Sequence, residues 1–490
     1  MTTLIKNGTV YDGSGELSYR ADILLQGDRI MRIGTFAYPR VDATIDAMGC
    51  AITPGFIDVH PHADHYDSLY APSSHDAWCL SGVTTVIGGN DGISCAPILH
   101  ESALHLFEVW GGTQGTNHTW RSFDEFFHFL VRQKLNVNIG TLVGYGTIRT
   151  AFTKGVSRDC TDAEEKVCHA IMADAFRHGA FGLSYSFHDA HARGTPYHEL
   201  RNIMCHPLFR NAVFAFSPRM RDHAHLMQAC EELFLLGNTT HANMAIAHIP
   251  LEKDLCESYR AILAALIRAS AMSNIHIYVP VTPDEELPLT SLLPQFLRHV
   301  AYTNPHERRI LLEWFQTFKK TSPRIGHIRD AALRVMQGKT FHEIATTRHM
   351  RIAHAMLEFL RASEGHGKCV SHGDSEAHHI LCVSPRSILS TYTKESLFQF
   401  LKSIFTAPSS KTHLAPQEYI AKMTSRPAEK YGIQERGMLR EGYFADCVIL
   451  EQGVVRDCFI NGVCTVREGK KVLSVYGGRV LRREFLHTHQ

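Results

Sequence analysis

From about residue 80 onward, short apolar runs alternate with longer stretches whose apolar positions recur at three- and four-residue intervals. The runs are GVTTVIGG, NIGTLVGYG, GAFGLSYS, AVFAFSP, NMAIAHI, IHIYVPV and, after a gap, GKCVSHGD. Each is short, seven to nine residues with its turn residues, and marked off by Gly, Pro, Asn or Asp, as expected of strands buried on both faces. Between them, TDAEEKVCHAIMADAFRHG opens with Thr161 and Glu164 in capping-box spacing and stops at Gly179. ESYRAILAALIRASAMSN sets Ile262, Leu263, Leu266 and Ile267 on one helical face. Alternation of this kind predicts an α/β fold with parallel strands, and seven or eight repeats suit a TIM-type (β/α)8 barrel.

The two ends of the chain read differently. TLIKNGTVYDG, ADILLQGDRIMRIG and ATIDAMG near the start, with ADCVILEQG and VRDCFINGVCTVREGKK near the finish, are short strands separated by turn residues. They predict a small β-sandwich built from both termini, residues 1–54 plus 425–490, around a barrel of residues 55–424. Residues 283–351 break the rhythm and are expected to be an insertion late in the barrel.

Composition narrows the function classes. Fifty basic residues against 49 acidic ones give a formal charge of +1, so no nucleic acid or acidic membrane face is expected as partner. The start MTTLIKNGTVYDG lacks a charged-then-apolar leader, and no run approaches the roughly 18 apolar residues of a membrane span. Thirteen cysteines, an odd number without paired spacing, fit a reduced, cytoplasmic protein. A small molecule is the partner expected; the oligomeric state is open. Histidine is abundant, at 32, so position must distinguish a ligand from a bystander.

In a parallel barrel the chemistry sits where strands end. TPGFIDVHPHADHYD places His60 and His62 after an apolar run and two residues apart, so that in extended chain both imidazoles face one point. Other strand-end residues are Asp91 in GGNDG, Tyr145 in VGYG, Arg219 in SPRMRD, His248 in IAHIP and Asp374 in SHGDS. Imidazoles and carboxylates converging on one mouth suit a metal site. Cys95 is read as a buried structural thiol, and GVTTV and GAFGLS as ordinary apolar strand material. His378 or His379, close behind Asp374, is a candidate for orienting a ligand.

TPGFIDVHPHADHYD resembles the first-strand signature of the amidohydrolase superfamily. GVTTVIGGNDGISCAP, LVGYGTIRTA, GAFGLSYSF, KMTSRPAEKYGIQERGMLREGYFADCVIL and GGRVLRRE are similar to segments of the N-acyl-D-amino-acid deacylase (D-aminoacylase) family. The resemblance implies a barrel with a β-sandwich, one or two Zn2+ ions, and hydrolysis of the amide bond of N-acylated D-amino acids. By position it implies His60, His62 and Asp374 as one metal site, with Asp374 also the general base. The second site is altered. Asp91 stands at the family's cysteine and Arg219 at a histidine, and only His248 is kept. Pro250 occupies the place of a substrate-binding lysine, and Tyr145 that of a histidine. Arg219, Tyr145 and His188, the last in SFHDAHARG, are the candidate substrate contacts.

Arginine has no lone pair to give a metal. Two arrangements accommodate it: an Asp91–Arg219 ion pair filling the second site, or Asp91 on the metals with Arg219 turned towards a substrate carboxylate. The sequence therefore supports a metal-dependent deacylase, a catalytically impaired relative, or a hydrolase of a different cyclic amide.

Overall fold

The structure is a computed structural model. It describes residues 1–483 except 36–39, 62–68, 70–71, 109–119, 188–191, 193, 210–211, 221–224, 252–254, 270–273, 281–283, 289–307, 310, 313–314, 317–323, 326–332, 338, 364–367, 373–374, 391–393 and 407–413.

Eight parallel barrel strands follow in chain order: β1 (Phe56–Asp58), β2 (Val83–Gly88), β3 (Asn138–Thr141, resumed at Val143–Gly144), β4 (Gly182–Ser186), β5 (Val213–Ser217), β6 (Asn243–Ile246), β7 (Asn274–Pro280) and β8 (Ser387–Ser390). Each pairs with the next from β1 to β7, and β7 with β8. β8 lies alongside β1 and closes the ring. Side chains alternate along these strands as the pleat requires. Val213 and Ala215, Ala245 and Ala247, Tyr278 and Ile388 fill the interior with Ile57, Ile87 and Leu142. Phe214, Phe216, Met244, Ile246, Ile275 and Ile277 face the surrounding helices.

The helices form for the reasons their sequences give. Thr161 and Glu164 make the reciprocal capping box, and the helix runs Asp162–Arg177. In Cys256–Ala269, Ile262 and Leu266 are fully buried and Leu263 packs beside them.

Nine strands from the two ends of the chain form one sheet, joined where Ala51–Pro54 pairs antiparallel with Cys447–Glu451. The pleat gives that sheet two jobs. Cys447, Ile449 and Phe459 turn into the sandwich core, whereas Val448, Leu450, Cys458 and Ile460 pack with the barrel.

One strand assignment is corrected. Lys368–His372 is extended as expected, but it pairs antiparallel with Asp284–Pro288 and Arg324–Ile325 in a separate three-stranded sheet. The eighth barrel place belongs to Ser387–Ser390. Between β7 and β8 the chain also builds its own apolar cluster, with Leu311, Phe315, Phe341, Met356 and Leu360. Among the described residues, no helix is long and apolar enough to cross a membrane.

Candidate metal centre

Three side chains remote in sequence meet at the mouth of the barrel. His60 follows β1, its backbone N–H donating to Asp58 Oδ1 at 3.1 Å. Asp91 lies in the turn after β2 and His248 in the loop after β6. Asp91 Oδ1 stands 3.3 Å from His60 Nε2 and 2.9 Å from His248 Nε2. The two imidazole rings are 5.0 Å apart, centre to centre, and inclined at 65°. His60 and Asp91 are buried, at 1% and 8% exposure, and His248 nearly so.

Backbone strain marks the same place. Asp91 and His248 have φ of 57° and 53°, left-handed values that cost a residue with a side chain on the order of 1–3 kcal/mol. The turn leading to Asp91 is tightly bound to its surroundings: a β-carbon on Gly89 would lie 2.1 Å from the Leu142 carbonyl oxygen.

The donor set suits a divalent cation. One ligand atom from each of His60, Asp91 and His248 lies within 4.8 Å of the other two. Ligand atoms bound at about 2.0–2.1 Å in a tetrahedral shell lie roughly 3.4 Å from one another, near the 3.3 Å and 2.9 Å that separate Asp91 Oδ1 from the two imidazole nitrogens. Two imidazoles addressing one carboxylate oxygen need either a proton on each Nε2 or a shared cation. Tyr278, pointing inward from β7, floors the cluster with its ring 5.3 Å from that of His60. Burial, the hydrogen-bonded Tyr431 hydroxyl and the nearby Asp91 carboxylate push the Tyr278 pKa well up, so it stays protonated. It can shape the site but cannot act as a base.

Along most of its length the chain matches curated deacylases. It is 29% identical to the N-acyl-D-aspartate deacylase of Alcaligenes xylosoxydans xylosoxydans over 472 residues, covering 93% of this chain and 86% of that enzyme. It is 27% identical to the D-aminoacylase of the same organism over 468 residues, covering 93% and 89%. Over that length the chain is similar to N-acyl-D-amino-acid deacylases of the amidohydrolase superfamily. No family model matches it. The crystal structure of N-acyl-D-glutamate deacylase from Bordetella bronchiseptica, complexed with zinc and a phosphonate inhibitor, superposes with a TM-score of 0.80. That match has 20% identity and covers 98% of this chain and 99% of that one, and it shows the shared fold.

Of the candidate residues that the sequence offered, His60, Asp91 and His248 are brought together. His62, His188 and Asp374 lie outside the described residues. One expectation is corrected. Among the described residues Asp91 and Arg219 have different partners, so the proposed ion pair is not formed. The Arg219 Nε is 3.1 Å from Glu232 on helix Leu226–Thr240, its Nη2 donates to the Thr195 carbonyl at 2.8 Å, and its guanidinium lies over the Phe187 ring at 4.1 Å. Glu232 neutralises the arginine without drawing Asp91 away from the histidines. Tyr145 also has a partner away from the cluster. It is fully buried, and its hydroxyl donates to Glu199 Oε1 at 2.5 Å, beside the equally buried Arg149. His378 addresses Cys382, with Nε2 3.3 Å from the sulfur.

Sequence reasoning missed Tyr278, Glu199, Glu232 and Ser184. Ser184 is a polar residue inside a run read as plain apolar strand, and that lone hydroxyl was its available signal. A cleft of about 420 Å3 beside helices Phe123–Val131 and Asp162–Arg177, lined partly by Leu99, Arg121 and Lys166, includes none of the clustered side chains.

Proposed function

We propose that the protein is a metal-dependent amidohydrolase that cleaves the amide bond of N-acylated D-amino acids or a related small amide. The observation that carries this is the meeting of His60, Asp91 and His248 at the carboxyl end of the barrel. Their nitrogen and oxygen donors fit Zn2+, with His62 and Asp374 completing the proposed ligand set for one ion or two. When bound, a zinc ion would supply a water of lowered pKa and polarise the scissile carbonyl. Asp374 would accept a proton from the attacking water and pass it to the leaving amine. Arg219, paired with Glu232 and with about a fifth of its side chain exposed, is the proposed partner of the substrate carboxylate, and His188 is a further proposed contact. The division of the chain into a sandwich of 1–54 plus 425–490 and a barrel of 55–424 belongs to the same proposal.

Pro250 favours a second reading. It carries no charge, and its carbonyl accepts the Tyr259 hydroxyl, so a cation that would hold a carboxylate is absent at that position. A neutral cyclic amide suits such a site. Zinc-loaded protein assayed with N-acyl-D-amino acids, their L-isomers and cyclic amides separates the two readings. Turnover of the D-acyl series that falls at least about 100-fold in His60→Ala supports the first. Its KM should rise about tenfold in Arg219→Ala, the loss of a single charge-assisted contact. Activity confined to cyclic amides, indifferent to Arg219, supports the second.

A further inference from the structure

Asp91 occupies a turn, Gly89-Asn90-Asp91-Gly92, in which three of four residues are left-handed, with φ of 73°, 57° and 78° at Gly89, Asp91 and Gly92. The two glycines take such values freely and are conformationally loose, whereas Asp91 takes its value at a cost, so the turn needs outside contacts to hold it. Here it is pinned from both sides. The Asn90 side-chain amide donates to the Ile87 carbonyl at 2.9 Å, and the Gly92 carbonyl accepts the Thr147 N–H at 2.9 Å. Ser184, in the middle of β4 and fully buried, grips both ends at once. Its hydroxyl donates to the Gly89 carbonyl at 2.5 Å and accepts the Gly92 N–H at 2.9 Å.

We propose that Ser184 is a positioning residue for the metal centre: through its two bonds to the Gly89–Gly92 turn it fixes the carboxylate of Asp91 between His60 and His248. This rests on the zinc reading given above. Removing the hydroxyl strands a buried N–H and a buried carbonyl, and the turn relaxes away from its left-handed conformation. The carboxylate then loses its fixed place between two imidazoles, and ordering it again counts against binding the ion. Supporting contacts of this kind are typically worth about 10–100-fold in metal affinity.

The test measures Zn2+ affinity of the full chain by competition with a chromophoric chelator, for wild type, Ser184→Ala, Asp91→Ala and the double variant. Thermal unfolding of each metal-free protein is followed in parallel. Ser184→Ala is expected to weaken zinc at least tenfold, and to add no further loss in the Asp91→Ala background, because its effect passes through that carboxylate. A merely structural serine would lower the melting temperature of both backgrounds alike and leave the affinities unmoved. If Ser184→Ala does not fold, Ser184→Cys, which keeps a weaker donor and acceptor, is expected to show the same pattern at smaller size. Wild type that binds no zinc, or Asp91→Ala that binds it as wild type does, overturns the zinc reading and this inference with it. If both of those hold but Ser184→Ala binds zinc like wild type, or loses as much in the Asp91→Ala background, the positioning role alone is overturned.

Discussion

The most deeply sealed charges of the described barrel wall are Arg149 and Glu199, both without exposure, joined at 2.8 Å and bridged to the Tyr145 hydroxyl. A buried pair gives little net stability, yet breaking one strands its partner. Glu199→Ala is therefore expected to lower unfolding free energy by about 3–5 kcal/mol in urea titration. Tyr145→Phe removes one hydrogen bond to the carboxylate and is expected to cost about 1.5–3 kcal/mol while leaving zinc affinity unchanged. If Tyr145→Phe instead lowered zinc affinity, the separation of that network from the metal centre would be wrong. His60, Asp91 and His248 were legible because each follows an apolar run, and strand ends in a barrel converge. The fate of Arg219 was not, because its counter-charge, Glu232, comes from a helix whose docking no local pattern encodes. The partner of Tyr145 was hidden for the same reason: the carboxylate that takes its hydroxyl lies 54 residues further along the chain.

At the level of elements, β1 to β7 could be read from the chain and β8 could not. Ser387–Ser390 holds two apolar residues, Ile388 and Leu389, between serines and so does not stand out as an apolar run, whereas Lys368–His372 has a full strand-like pattern and spends it on pairing within the inserted segment. What fixes β8 is tertiary. Lys422, on helix Pro416–Met423, donates to the Ser387 hydroxyl at 2.6 Å and to the Ser384 carbonyl, tying the helix to the start of the strand. Burial, with Arg426 nearby, lowers the Lys422 pKa from 10.5 to about 7. Between those values the unfolded chain binds the extra proton, so this group's contribution makes stability rise with pH from about 7 to about 10.5. Denaturant unfolding across that range is expected to show a steeper rise for wild type than for Lys422→Met, whatever the variant's absolute stability. Equal slopes would contradict a buried, proton-shedding amine.

For the whole molecule, the two ends of the chain are as important as the barrel. Pairing of Ala51–Pro54 with Cys447–Glu451 brings the last strands back beside the first, and the same sheet packs one face on the barrel. That arrangement was readable from two separated sets of short strands, since neither set could bury its apolar face alone. The central claim is that this fold assembles a zinc centre in which a carboxylate, Asp91, stands where related chains were expected to place a thiolate. X-ray absorption at the zinc edge of the loaded protein tests it most directly. The account predicts a shell of nitrogen and oxygen ligands at about 2.0–2.2 Å with imidazole scattering from at least two histidines. A sulfur ligand at about 2.3 Å, or zinc with no imidazole in its shell, would contradict it.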